Sequence, residues 1–171
     1  MRLLKDMIQH IDYEIDKKKY RDIFYNNIQE HGDWHWSVPE LQSLYWYRLM
    51  LPNDSPLRVL VRDVEEELNL IGLNNYPRYN YYFPNTKLPH HMDVDKMVAI
   101  NINLFDTIPI IHVEHKPYPY QCALIDTGHI NHGIEPDKNP RLILKLCLRN
   151  PHDEVMTRLD KYGLLCDRMI T

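Results

Sequence analysis

The chain is expected to fold as a mainly β protein with flanking helices, a double-stranded β-helix (jelly roll) packed against N-terminal helices. Apolar residues recur at helical spacing through the first 72 residues. From there to about residue 149 run short β-rich segments, split by turns that contain Pro and Asn. No helical stretch separates those segments, so parallel crossovers are excluded and two antiparallel sheets remain. At 171 residues, with 44% hydrophobic and 26% charged, the chain has room for one domain with a real core. It divides into a helical support over 1–72, a jelly-roll core over 73–149 and a C-terminal helix within 150–171.

Taken in order, Leu4, Met7, Ile8, Ile11 and Ile15 share a helical spacing and predict a first amphipathic helix. Ser37-Val38-Pro39-Glu40 is a capping box with proline in the first turn, predicting a helix through Leu41, Leu44, Tyr45 and Met50. Ser55-Pro56 opens another, with Leu57, Leu60, Val61, Val64, Leu68 and Ile71 on one stripe and Gly72 as its stop. Glu65-Glu66-Glu67 falls mostly on the wet face of that helix. Strands are expected near 78–83, 97–105, 110–114, 120–126, 130–134 and 141–149, and a last helix at about 152–162 after Asn150-Pro151. The front helices should cover the outer face of the larger sheet.

A net charge of −4 argues against general nucleic-acid binding, which needs a basic face. Lys17-Lys18-Lys19, the one basic run, reads as a solvated helix end. Cys122, Cys147 and Cys166 form an odd set without Cys-x-x-Cys spacing, which suits free thiols in a reducing compartment, two of them on strands. Lys5 and Asp6 interrupt the N-terminus too early for a signal peptide, and no run reaches the roughly 18 apolar residues of a membrane span. A cytoplasmic protein is expected. Oligomeric state is not legible.

Three His-x-Asp triplets occur, and geometry separates them. Residues i and i+2 share a side only in an extended segment, so only there can both grip one ion. His10-Ile11-Asp12 lies in the expected first helix, and His31-Gly32-Asp33 brackets a glycine at a turn between helical stretches. His91-Met92-Asp93 lies in a non-helical, tyrosine-rich region just before a strand. His132 follows 41 residues later and Arg141 nine after that. Two histidines and a carboxylate can occupy one face of Fe(II) and leave open positions opposite. An arginine nearby can clamp a dicarboxylate with two parallel bonds. His112-Val113-Glu114 with His115 is a competing strand motif that could form a cupin-like metal set with His132. Lys145 and Arg149 share the face of Arg141 on a regular strand, where they could read an anionic substrate or simply be solvated.

The stretch Tyr82-Phe83-Pro84-Asn85-Thr86-Lys87-Leu88-Pro89-His90-His91-Met92-Asp93 resembles the metal-binding segment of Fe(II)/2-oxoglutarate-dependent dioxygenases. Within that superfamily it is most similar to prolyl hydroxylases and aspartyl/asparaginyl hydroxylase-like proteins. Asn85 stands where that pattern has glycine, a modest departure because Asn tolerates positive φ. Leu124 to Pro136, with Arg141-Leu142-Ile143-Leu144, is similar to the family's second-histidine and arginine segment. The likeness covers roughly residues 76–149.

The resemblance implies that His91, Asp93 and His132 bind iron and that Arg141 pairs with the far carboxylate of 2-oxoglutarate. Tyr82 and Asn103 match positions that often contact this cosubstrate. His132 is preferred over His129 as the distal ligand. It opens a His-Gly-Ile-Glu-Pro stretch similar to the family's, and a hairpin across the loop 135–140 would set it beside Arg141. His129 follows Gly128 in a turn. Implied cofactors are Fe(II), 2-oxoglutarate and O₂, with ascorbate as a candidate reductant. The implied chemistry is decarboxylation of 2-oxoglutarate to succinate and CO₂ coupled to hydroxylation of a C–H bond in a small-molecule or peptide substrate. Free amino acid, peptidyl proline and acidic side chain all stay open. The alternative is a cupin-like jelly roll that binds a metal or ligand without oxygenase turnover.

Overall fold

Strand β11 (Arg141–Leu148) shows how the sequence builds the molecule. Leu142, Leu144, Leu146 and Leu148 alternate with Arg141, Ile143, Lys145 and Cys147, and all eight residues are buried. Period two sends the two sets to opposite faces of a sheet that is covered on both sides. The leucines join a cluster with Tyr20, Phe24 and Ile28 of helix α1 (Lys17–His31) and with Val155 and Leu159 of helix α3 (His152–Lys161). Ile143 joins a separate cluster with Ile111, Val113, Tyr120 and Ile130, which fills the space between two sheets.

The computed structural model describes residues 7–36, 45–94 and 97–166. Strands β4 (Asn75–Tyr82), β5 (Leu88–His91), β6 (Val98–Asn103), β7 (Ile110–Val113), β8 (Lys116–Pro119), β9 (Cys122–Ile125) and β10 (His132–Ile134) precede β11. The chain passes back and forth between sheets, so β9-β6-β11-β4 lie together in the larger and β5-β10-β7-β8 form the smaller, all paired antiparallel. This is a double-stranded β-helix, as expected. Strands β1 (Ile8–Ile11) and β12 (Leu165–Cys166) extend the larger sheet beyond β9. Strands β3 (Tyr45–Met50) and β2 (Gly32–Trp36) extend it beyond β4. Helix α1 begins where the Asp16 carboxylate accepts from the Lys19 amide, and Tyr20, Phe24 and Ile28 at i, i+4, i+8 lay one stripe on the sheet. Each such buried side chain is worth about 1.5–3 kcal/mol.

Several expectations are corrected. The spacing of Ile8 and Ile11 belongs to strand β1, not to a helix, so His10 is a strand residue paired with Ala123 and Cys166. Tyr45 to Met50 is likewise a strand, while the capping box at 37–40 with Leu41 and Leu44 lies outside the described residues. The cause is common to both. Ile8 faces the inter-sheet core and Ile11 the helical one, as do Trp46 and Leu49. An apolar i, i+3 pair marks one face of a helix or both faces of a strand buried on both sides. His31 ends α1 and Gly32 opens β2, so the expected turn is a helix-to-strand junction.

The Ser55 start holds, since its hydroxyl accepts from the Leu57 amide. The segment is, however, a 3-10 helix over Pro56–Val61 followed by α2 (Arg62–Glu67), ending before Gly72. Glu65 is buried rather than wet, 2.6 Å from Arg58. Cys122 and Cys147 are buried strand residues, and all three cysteines are free thiols. Among the described residues no helix is long and apolar enough to cross a membrane. Removing one partner of a buried ion pair leaves the other charge uncompensated. Glu65→Ala should therefore destabilise the fold by about 3 kcal/mol in chemical denaturation, with the slope unchanged.

Candidate metal centre

The centre is built where β5 pairs with β10. His91 and His132 are Cα partners across that pair, their rings 4.5 Å apart. Between His132/His91 and Ile134/Leu88, β5 carries an extra residue, a bulge over Pro89-His90 opposite Gly133. Proline suits a bulge because it has no N–H to give the ladder. A side chain at 133 has no room, since a Cβ there would lie 2.8 Å from the Leu88 carbonyl oxygen and 2.9 Å from His90 Cδ2. Asp93 sits two residues past β5, where its backbone N–H donates to the Thr127 carbonyl at 2.9 Å.

His91 Nε2 lies 3.6 Å from Asp93 Oδ1, and His132 Nε2 lies 3.6 Å from Asp93 Oδ2. One ligand atom from each of the three falls within 4.8 Å of the others, the one group of this kind among the described residues. The tautomers follow from the backbone. His91 Nδ1 donates to the Pro89 carbonyl at 2.8 Å and His132 Nδ1 to the Ile130 carbonyl at 3.2 Å. A carbonyl only accepts, so the protons sit on Nδ1 and both Nε2 lone pairs face Asp93. That is the arrangement by which ligating histidines are oriented. Side-chain exposure falls from 39% for His91 to 9% for Asp93 and 4% for His132, so the set opens at its His91 side. Burial, with the Lys145 ammonium nearby, pushes the His132 pKa down to about 3, so the ring is neutral at neutral pH and able to ligate. The donor set fits a divalent ion of the Fe(II) kind with positions left open.

The other expected residues are distributed around this set. Arg141 is buried, donating through Nη1 to the Ile110 carbonyl at 3.0 Å and through Nη2 to the Glu135 carbonyl at 3.2 Å. Its Cα partner on β4 is Tyr82, whose buried hydroxyl accepts from Asn80 Nδ2 at 2.9 Å. Asn103 spends its amide on the carbonyls of Phe105 and Thr107 and on Gln121 Oε1, and its Oδ1 accepts from the Phe105 amide. It anchors the turn after β6. The expected hairpin between His132 and Arg141 does not form, because β10 belongs to the smaller sheet and β11 to the larger. The loop 135–140 is a crossover between sheets. His129 stands apart from the set, more than half exposed, its Nδ1 2.7 Å from Asp126.

The competing cupin-like set does not assemble. His112 pairs with Gly133 in register, one residue off from the inward Val113, so it faces outward beside His90, with ring centroids 6.5 Å apart. His115 stacks on His90 there, at 4.4 Å. Sequence reasoning missed Arg78 and Asn101, inward residues on β4 and β6. The signal was present in Arg78-Tyr79-Asn80-Tyr81-Tyr82, whose alternation puts Arg78 on the face of Tyr82.

No family model matches the chain, and no curated protein matches it in sequence. Solved structures do share its fold. A Trichoplax adhaerens prolyl hydroxylase, solved with a peptide fragment of the hypoxia-inducible-factor oxygen degradation domain, superposes with a TM-score of 0.61 at 8% identity, over 90% of this chain and 85% of that one. A Pseudomonas putida prolyl-4-hydroxylase gives 0.57 at 12% identity, over 84% and 91%. A Burkholderia pseudomallei oxidoreductase of the 2OG-Fe(II) oxygenase family gives 0.52 at 11% identity, over 75% and 78%. At such identities the likeness shows the double-stranded β-helix fold of these oxygenases.

The bulge and its glycine carry a testable consequence. Gly133→Ala should push β5 away from β10 and with it His91 from His132. Titration with Fe(II) under anaerobic conditions should show affinity reduced roughly 10-fold or more, as when the supports of metal ligands are removed.

Proposed function

We propose that this protein is an Fe(II)- and 2-oxoglutarate-dependent oxygenase that hydroxylates an amino-acid or peptide substrate and releases succinate and CO₂. The observation that carries the proposal is the convergence of two histidine lone pairs on one carboxylate within a double-stranded β-helix. His91, Asp93 and His132 would hold the iron, and the metal with O₂ and 2-oxoglutarate would supply the oxidising power. The chain's own part is to bind, orient and exclude water. Arg141 is the group for the far carboxylate of 2-oxoglutarate. Its two bonds to carbonyls use two of the five N–H donors of a guanidinium and hold the fork in place. Tyr82 beside it offers a buried hydroxyl. Asn103 is the weaker cosubstrate contact, because its amide already holds the 105–107 turn. The inter-sheet core of Ile111, Val113, Tyr120, Ile130 and Ile143 supplies dry walls.

With Asp93 as a ligand, the position a halide would need on the metal would be taken, so the reading is hydroxylation rather than halogenation. The peptide seen with the Trichoplax neighbour supports an amino-acid or peptide substrate. A cytoplasmic setting, with ascorbate as reductant, suits Fe(II) and three free thiols.

Anaerobic protein with Fe(II) and 2-oxoglutarate should develop the weak visible charge-transfer band of a chelated keto acid, and on admission of O₂ should release succinate. Tight Fe(II) binding without 2-oxoglutarate binding by calorimetry would sink the proposal and favour a metal-binding jelly roll without turnover.

Arg141→Ala should weaken 2-oxoglutarate binding by about 2–5 kcal/mol with Fe(II) affinity little changed, and Arg141→Lys should weaken it less. An unchanged cosubstrate constant in the alanine variant means that another cation holds the carboxylate.

A further inference from the structure

A row of polar side chains crosses the inner face of the larger sheet and has no part in the reading above. Arg78 of β4, Lys145 of β11 and Asn101 of β6 are Cα partners in register. Alternation places all three on the side of Tyr82 and Ile143, toward the smaller sheet and the metal centre. Lys145 and Asn101 are buried. Arg78 is half-buried, and its Nε is enclosed with no hydrogen-bond partner among the described residues, as is Asn101 Oδ1.

Both cations look toward the ligand set across the inter-sheet space, because His132 is the Cα partner of Val113, which packs with Ile143 and Tyr82 there. Arg141 is four residues from Lys145 along the same strand, about 13 Å. One carboxylate cannot sit on both. Like charges directly opposite each other on neighbouring strands repel, and the cost rises where water is scarce. An anion between the two side chains would recover that cost.

We propose that Arg78 and Lys145 form a second anion subsite beside the metal, which takes a carboxylate of the prime substrate. The inference rests on the oxygenase reading and narrows its substrate class. The substrate presents a carboxylate next to the carbon to be hydroxylated, either the α-carboxylate of a free amino acid or an acidic side chain. Arg78 brings a planar fork suited to two parallel bonds, and Lys145 a point charge.

The test uses the full chain loaded with Zn(II) in place of Fe(II), plus 2-oxoglutarate, so that nothing turns over. Calorimetry measures binding of the common L-amino acids beside their α-carboxamides, and of Asp and Glu beside Asn and Gln as well. At least one acid should bind about 10-fold or more tightly than its carboxamide. If Asp or Glu keeps its affinity as the α-carboxamide and loses it as Asn or Gln, the carboxylate comes from a side chain. If every α-amide loses it, the carboxylate is the α-carboxylate. Arg78→Gln and Lys145→Met should each bring the acid-to-amide ratio toward one, whereas Arg78→Lys and Lys145→Arg should keep a preference for the acid. Thermal melting checks that each variant folds, and the charge-keeping pair decides the matter where a neutral variant does not.

Equal binding by the wild type of every acid and both its α-carboxamide and, for Asp and Glu, its side-chain amide overturns the inference, as does a ratio that survives in both neutral variants. Loss of 2-oxoglutarate affinity in those variants with the ratio intact overturns it as well, and assigns the pair to the cosubstrate. Failure of the wild type to bind 2-oxoglutarate at all would strike the oxygenase reading instead.

Discussion

The centre depends on one pairing, the four-residue strand β5 against the three-residue strand β10. Each contributes one histidine, and the register makes them partners. The bulge at Pro89-His90 turns the chain so that Pro89's carbonyl meets His91 Nδ1, and Asp93 follows with both oxygens between the two imidazoles. A slip of one residue would send His132 to the outer face with His90 and His112. Gly133 enforces the spacing from the other side, because the backbone of β5 occupies the space a side chain would need. Stability and ligand geometry are thus set by the same few ladder bonds.

The larger sheet holds this small unit in place by being buried twice. One face packs leucines and Tyr79 against α1 and α3, while the other carries Arg78, Tyr82, Arg141 and Lys145 toward the metal centre. Burying guanidinium and ammonium groups is costly in isolation. It is tolerated here because the helical side supplies a large apolar area and because the inner face is lined by groups that can hydrogen-bond. The same arrangement depresses the basicity of His132, since burial and a nearby ammonium both disfavour its charged form.

Much of this was legible in the sequence, for definite reasons. Strands β4, β6, β7, β9, β10 and β11 were legible as short β-rich segments set off by the Pro- and Asn-containing turns between them. His91-Met92-Asp93 was singled out because an i, i+2 pair chelates only from extended chain. Yet His10 lies in strand β1 and Asp33 in β2, so the order and spacing of the family-like segments, not that criterion, pointed to 91–93. What failed has a common origin. Strands β1 and β3 are apolar on both faces, and Ile8 with Ile11, or Trp46 with Leu49, imitates a helical stripe. Strands β5 and β8 contain prolines and few apolar residues, so propensity is silent on them. The His132 to Arg141 link was read as a hairpin because its loop is short, whereas a double-stranded β-helix uses short links to change sheets. Arg78 was passed over because a charged residue in a strand ordinarily marks the solvent side.

The turn joining β7 to β8 is made by Glu114 and His115, both with positive φ, 47° and 64°. Glu114 is the less suited of the two, since left-handed backbone is uncommon for side chains other than Asn, Asp and His. The tip nevertheless does work at a distance from itself. Glu114 Oε1 accepts from the Asn131 amide at 3.0 Å, and Glu114's own amide donates to the Asn131 carbonyl at 2.9 Å. Asn131 immediately precedes His132. The tip is therefore stitched by two bonds to the residue that precedes His132. The turn behaves as a clip, and the locally more comfortable Asn-Gly that a hairpin would ordinarily favour would release one of its two attachments to the start of β10.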